Sequence, residues 1–251
     1  MNFLRPSLAA QLHVERQLDV GHLRFVIGAD EVGRGSWAGP LCVGAVLYDF
    51  RFLIEFMSDL HKDASLDSSS ESQLSSRYLQ MNDSKLLSSK QRESLDRPIK
   101  DLATGYGLGF VEPGEIDEMG MSRGLVLGLE RALIPLADFV DSSVILLDGA
   151  VNFSRYLHAK TFIKGDSKSF AIASASIIAK VARDELMNHE AENFPWYMLE
   201  NNKGYPSSVH VSALHAMGAS QIHRKSWSYM ANLPWQATIP RLRPQQMALR
   251  D

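Results

Sequence analysis

The chain has 251 residues, enough to bury a full core as one large domain or as one domain with an appendage. Its 45% hydrophobic and 22% charged composition is ordinary for a water-soluble globular protein, and no apolar run approaches the roughly 18 residues of a membrane span. One cysteine, Cys42, excludes an internal disulfide, and a net charge of −3 excludes a uniformly basic nucleic-acid binder.

In chain order, residues 1–20 mix charged and apolar side chains and lack a signal-peptide pattern, so a cytoplasmic location is expected. The first predicted strand, 24–28, leads into Gly28-Ala-Asp-Glu-Val-Gly-Arg-Gly-Ser-Trp-Ala-Gly-Pro40. Adjacent carboxylates Asp30 and Glu31 thus stand where a buried strand gives way to a glycine-punctuated turn. An unpaired buried carboxylate costs many kcal/mol, so a hard cation such as Mg²⁺ is its natural partner. Neighbours on a strand face opposite ways, so the two acids can share a metal only at the strand's end. Taken alone, the pair also reads as a solvated acidic turn. The segment is neither a P-loop, which needs Lys and then Ser or Thr after its second glycine, nor a dinucleotide fingerprint, for which it is one residue too long.

A second strand is predicted at 41–50, after the Gly39-Pro40 turn. Residues 65–76 hold seven serines in twelve positions and are expected to be a mobile surface insertion, spanning about 61–78 in all. Asn82-Asp83-Ser84-Lys85 looks like a turn and helix cap. A helix follows at 88–100, then a strand at 106–111 weakened by Gly107 and Gly109, and helices at 115–119 and 122–133. Short strands at 144–147 and 160–163 precede Asp148-Gly149 and Lys164-Gly165-Asp166. A long helix at 168–189, with small residues from Ala171 to Ser176, is expected to lie close to a sheet, and another helix spans 207–217. Strands alternating with helices indicate an α/β fold.

Asp148 and Asp166 repeat the pattern of Asp30-Glu31, each ending a predicted strand. Four carboxylates at three strand ends could converge on two divalent ions about 3.5–4 Å apart, as in-line phosphodiester displacement uses. The stretch 201–251 sets Lys203, Arg224, Lys225, Arg241, Arg243 and Arg250 against the single acid Asp251, and such a basic segment suits a nuclease.

Seven motifs occur in order: Asp30-Glu-Val-Gly-Arg-Gly35, Asn82-Asp-Ser-Lys85, Leu147-Asp-Gly149, Lys164-Gly-Asp166, Ser174-Ala-Ser-Ile-Ile-Ala-Lys-Val-Ala-Arg-Asp184, Lys203-Gly-Tyr205 and His223-Arg-Lys-Ser-Trp227. Together they resemble bacterial ribonuclease HII over residues 24–227, apart from the serine-rich insertion. The resemblance implies a ribonuclease H-like fold, a mixed central sheet flanked by helices, with a C-terminal helical extension. It implies an N-terminal extension at 1–23, a catalytic domain at 24–190, and a helical, basic segment at 191–251 that completes the substrate site.

It further implies that Asp30, Glu31, Asp148 and Asp166 bind the catalytic Mg²⁺ or Mn²⁺. Gly33, Arg34 and Gly35 would approach the ribonucleotide's 2′-OH, and Tyr205 would stack on the following deoxyribose. Lys85 and Lys168 read, from the residues themselves, either as phosphate contacts or as solvated lysines. The implied activity is hydrolysis of RNA in RNA–DNA hybrids and cleavage 5′ of single ribonucleotides in duplex DNA, by a monomer without membrane partners. The alternatives are another two-metal nuclease of the superfold and a non-catalytic nucleic-acid-binding relative. The first gives no reason for Gly-Arg-Gly and Lys-Gly-Tyr; the second would be favoured by a missing carboxylate.

Departures from the family pattern are Ser36-Trp37 for Pro-Leu, Leu86 for a lysine, Ser174 for an alanine, and the longer insertion. They bear on substrate affinity, with Trp37 adding an indole beside the substrate loop. Asp184 rivals the fourth carboxylate, but Lys180, four residues earlier on the same helix face, suits it as an ion-pair partner. His210 and His223 lack metal-ligand spacing and are expected to be structural.

Overall fold

Five strands form one sheet in the order β3-β2-β1-β4-β5: β1 (Phe25–Val32), β2 (Leu41–Asp49), β3 (Gly105–Val111), β4 (Ser143–Asp148) and β5 (Ala159–Phe162). β1, β2 and β3 pair antiparallel, whereas β4 and β5 run parallel to β1, making the sheet mixed. The computed structural model describes residues 12–18, 23–63, 78, 81, 87–234 and 238–240, with the side chains of 61–63 excepted. Its helices are α1 (His13–Gln17), α2 (Phe50–Asp63), α3 (Ser89–Leu102), α4 (Pro113–Met119), α5 (Met121–Leu133), α6 (Ala137–Val140), α7 (Phe170–Asn193), α8 (Leu199–Asn202) and α9 (Ser208–Met217).

Strand alternation builds two cores. Val26, Val46, Tyr48, Val144 and Leu146 face α2, α3 and α7. Ile27, Ala29, Val43, Ala45, Leu47, Ile145 and Leu147 face α5. α7 lies directly on the sheet, as its small residues led one to expect: a Cβ on Gly28 would sit 2.0 Å from the Ala171 carbonyl carbon. Residues 170–179 are all buried. The glycines that weaken β3 as a strand have the same use on the other face, since a Cβ on Gly109 would lie 1.9 Å from the Gly128 carbonyl oxygen of α5.

Three features differ from expectation. β2 stops at Asp49 because that carboxylate accepts the N–H groups of Arg51 and Phe52, at 3.0 and 3.3 Å, and so starts α2. The buried Leu53, Met57 and Leu60 give α2 its core-facing stripe. The helix enters the stretch read as a surface insertion, and Tyr78 at the far end of that stretch is buried against Phe56 and Phe170. The remainder of the serine-rich stretch, Lys85, Leu86 and residues 241–251 lie outside the described residues. Finally, α7 runs unbroken across position 190, and its Met187 and Ala191 join Phe194, Tyr197, Leu199 and Leu214 in a core shared with the C-terminal segment.

The short α1 docks on the start of α7. Leu12 bridges to Ser169, and the Val14 amide donates to the Lys168 carbonyl. Glu15, fully buried, accepts from Ser169 Oγ at 2.6 Å and the Ala171 amide at 3.1 Å. Burial pushes its carboxyl up to about 7 despite these bonds.

Candidate active site

The register of β1 and β4 places two acids side by side. Their parallel pairing ends at Ala29 opposite Leu147, so the next residues are Asp30 and Asp148. Ala29 and Leu147 face α5, and alternation turns both acids toward α7. β1 does not end there: Asp30 and Glu31 remain paired with Gly44 and Val43 of β2. The expected strand end is thus an end of pairing on the β4 side only, because β4 stops at Asp148 while β2 continues alongside.

Asp30 is 5% exposed; its Oδ1 accepts the Glu31 amide at 2.8 Å, and its carboxyl is hydrogen-bonded to Ser176 of α7. Burial, reinforced by the charges of Asp148 and Glu31, pushes Asp30 up to about 8. Glu31 is raised by burial also, offset by Arg34, whose guanidinium lies 3.4 Å from it. Asp148 Oδ1 accepts the Gly165 amide at 2.7 Å. That turn follows Lys164, held at φ 55° in the left-handed region.

Asp166, expected at a strand end, stands in a 3-10 turn (Gly165–Ser167) beyond β5, because the chain must turn there to enter α7. It is buried and does not line the cleft that the other three acids share. Among the described residues no three Asp, Glu, His or Cys side chains stand in ion-holding geometry. The chemistry of the donor set nevertheless fits a hard divalent cation. The charge of Asp148 raises the cost of ionising both Asp30 and Glu31 in the cleft that the three share, and such a cation removes that cost.

The cleft has a volume of about 440 Å³. Gly33, Arg34, Gly35 and Tyr205 line it with the three acids, as does Lys180; Arg92 and Ser176 also line it and were not anticipated. Lys168 is elsewhere, donating to the Ile163 carbonyl at 2.8 Å. Asp184 pairs with Lys180 at 2.5 Å, as its spacing suggested. Trp37 stacks on Tyr229, ring centroids 4.2 Å apart, and does not line the cleft; the indole is spent on packing. Ser174 accepts from the Tyr48 hydroxyl at 2.9 Å within the core.

Two buried arginines whose contacts the sequence does not reveal hold the loops that flank the cleft. Arg183 donates from Nε to the Pro40 carbonyl (2.9 Å), from Nη1 to Lys203 (3.0 Å), and from Nη2 to Ser36 Oγ (2.8 Å) and Ala38 (3.1 Å). Its guanidinium also lies 5.7 Å from the centre of the Tyr205 ring. Arg224 donates to the Gly39 and Arg34 carbonyls at 3.1 and 2.9 Å. Both take carbonyl partners, neither pairs with a carboxylate among the described residues, and burial lowers both, Arg224 to about 9. Gly33 sits at φ 86°, and a Cβ there would come within 2.2 Å of Arg183 Nε. Their motifs held both arginines, but only packing reveals what a buried guanidinium touches.

The fold and the sequence match known proteins. The family model for ribonuclease HII matches residues 27–230. Ribonuclease HII of Streptomyces coelicolor is 35% identical over 212 residues, covering 84% of this chain and 80% of that one. Ribonuclease HII of Caulobacter vibrioides is 37% identical over 203 residues, covering 81% and 84%. The crystal structure of ribonuclease H2 from Pyrococcus horikoshii OT3 superposes with a TM-score of 0.57 at 26% identity, over 82% of this chain and 95% of that one.

Proposed function

We infer the reaction from kinship and geometry together: the chain belongs to the ribonuclease HII family, and it is an endonuclease that cleaves RNA in RNA–DNA hybrids and at ribonucleotides embedded in DNA. Its activity depends on a divalent metal. In our reading the ion is Mg²⁺ or Mn²⁺, both hard ions that take oxygen ligands. Asp30, Glu31 and Asp148 hold the cations, with Asp166, one residue from the amide that fixes Asp148, as the fourth ligand. The observation that carries this reading is the emergence of Asp30 and Asp148 in register from parallel strands into one cleft. Two divalent cations, when bound, supply an activated water and charge stabilisation at the departing 3′ oxygen.

The chain's own residues do the rest. Asp30, pushed up to about 8, keeps its proton at neutral pH until a cation takes its place. The Gly33-Arg34-Gly35 backbone, pinned by Arg183 and Arg224, meets the 2′-OH that separates RNA from DNA. Tyr205, 38% exposed and backed by Arg183, offers its ring to the next sugar. Arg92 and Lys180 line the same cleft and bring positive charge toward the phosphates. Lys85 and Lys168 are proposed to meet phosphates farther along the duplex.

The test is a duplex DNA with one labelled ribonucleotide, incubated with Mg²⁺ beside an all-DNA duplex. Cleavage 5′ of the ribonucleotide, leaving 3′-hydroxyl and 5′-phosphate ends and sparing the control, is expected. An intact but bound duplex, with Mg²⁺ and with Mn²⁺, would favour a non-catalytic binding protein.

A further inference from the structure

Behind Tyr205 lies a chain of buried polar groups whose protons have one arrangement only. The Ser220 amide, which can only donate, points at His223 Nδ1 from 3.0 Å, with Ser220 Oγ 2.8 Å from the same atom. Nδ1 of His223 is therefore an acceptor, and the ring's proton sits on Nε2. That Nε2 faces His210 Nε2 at 2.9 Å, so His210 Nε2 must accept and its own proton must sit on Nδ1. His210 Nδ1 lies 2.9 Å from the Tyr205 carbonyl, which can only accept. The assignment made from Ser220 and the one made from Tyr205 meet in the middle without conflict.

A second proton has no place in this chain. An imidazolium at His210 would set two Nε2–H groups against each other across 2.9 Å, and one at His223 would set its Nδ1–H against the Ser220 amide at 3.0 Å. Both rings are buried, and Tyr197, packed 4.7 Å from His223 and 6.0 Å from His210, commits its hydroxyl to the Gly218 carbonyl. The nearby cations, Arg183 and Arg224, donate to other groups, the carbonyls of Pro40 and Gly39 among them. Burial lowers both histidines, in keeping with this arrangement.

We propose that His210 and His223 are positioning residues, a neutral proton chain of fixed direction that anchors the main chain of Tyr205 and so sets how firmly the enzyme holds the nucleotide after the ribonucleotide. The inference rests on the reading of Tyr205 as a substrate contact. The anchoring is local: Tyr205 precedes Pro206, and its carbonyl also accepts the Ser207 amide at 2.8 Å. Ser207 in turn caps α9 through His210's amide, so His210 ties Tyr205 to the first turn of the helix.

Two measurements on the full chain test it. Long-range ¹H–¹⁵N correlation of the imidazoles should show His223 as the Nε2–H tautomer and His210 as the Nδ1–H tautomer, with neither charged at neutral pH. An Nε2–H tautomer or an imidazolium at His210 would overturn the proton chain. In single-ribonucleotide cleavage, His210→Leu should raise KM about threefold to tenfold, the weight of one hydrogen bond, with little change in kcat. His210→Asn, whose amide keeps a donor near the Nδ1 position, should recover most of that loss. His210→Leu should add nothing in a Tyr205→Ala background. An Asn variant as impaired as Leu, or additive losses, would overturn the positioning role. A Tyr205→Ala variant with unchanged KM and kcat would overturn the substrate-contact reading, and with it the functional half of the proposal, whatever the tautomers.

Discussion

Replacing Asp30 by asparagine should stabilise the metal-free protein while abolishing cleavage. In the native chain this carboxyl goes from its usual 3.8 to about 8, mainly because burial strips its water and secondly because Asp148 and Glu31 are near. The folded state therefore binds more protons than the unfolded chain between those two values, so its stability falls as pH rises through that window. By pH 7 the part of that window already crossed, from 3.8 upward, amounts to about 4 kcal/mol at about 1.36 kcal/mol per pH unit. Asparagine keeps an Oδ1 acceptor for the Glu31 amide but must reorganise its bond to Ser176, so a net gain of about 2–4 kcal/mol is expected. The assay is urea unfolding of both proteins in EDTA at pH 5 and pH 8, repeated at pH 8 with Mg²⁺. The variant's advantage should widen from pH 5 to pH 8. Mg²⁺ should stabilise the native protein and leave the variant almost unmoved, because a ligand that binds only the folded state raises stability with the logarithm of its concentration over Kd. A variant less stable than the native protein at pH 8, or one that Mg²⁺ stabilises equally, would refute this reasoning.

Three other outcomes follow from the packing. Gly28→Ala places a Cβ 2.0 Å from the Ala171 backbone, which no side-chain rotation relieves, and should cost about 3 kcal/mol or more in urea unfolding; a near-neutral result would mean that α7 does not sit on the sheet as described. Arg183→Lys keeps a charge but loses the planar fork that reaches Ser36, Ala38, Pro40 and Lys203, so it should lower both melting temperature and cleavage efficiency; native values for both would remove the strut. His223 falls to about 3 in the fold, while an unfolded histidine takes its proton near 6.5. Its contribution is thus complete above pH 6.5 and is lost as pH falls toward the folded value, with a slope of up to about 1.4 kcal/mol per pH unit. Comparing unfolding at pH 7 and pH 5 should show this slope reduced in His223→Gln; identical slopes would count against it.

Much of this was legible in the sequence because the signals were local and redundant. The apolar runs of β2 and β4, the small residues of α7 and the acids beside glycines each have a short-range physical cause. α2 escaped because the run Leu41–Asp49 continues into Phe50 without a break in hydrophobicity. The decisive signal was Asp49 as a cap, followed by apolar residues at helical spacing from Leu53. The end of β1 was misplaced because a residue's pairing depends on both neighbours, and β4 stops where β2 does not. The arginine struts and the link between the two histidines join residues more than ten positions apart, and Arg224 and Arg34 are 190 positions apart. No spacing rule reports such contacts. Only the fold does.

The central claim is that Asp30, Glu31, Asp148 and Asp166 together hold the catalytic cations. Anomalous diffraction from crystals grown with Mn²⁺ and a non-cleavable duplex carrying one ribonucleotide tests it most directly. Two peaks about 3.5–4 Å apart, bounded by these four carboxylates and facing Gly33–Gly35, are the expected result. Ions bound elsewhere, or a site from which Asp30 and Asp148 are both absent, would contradict it.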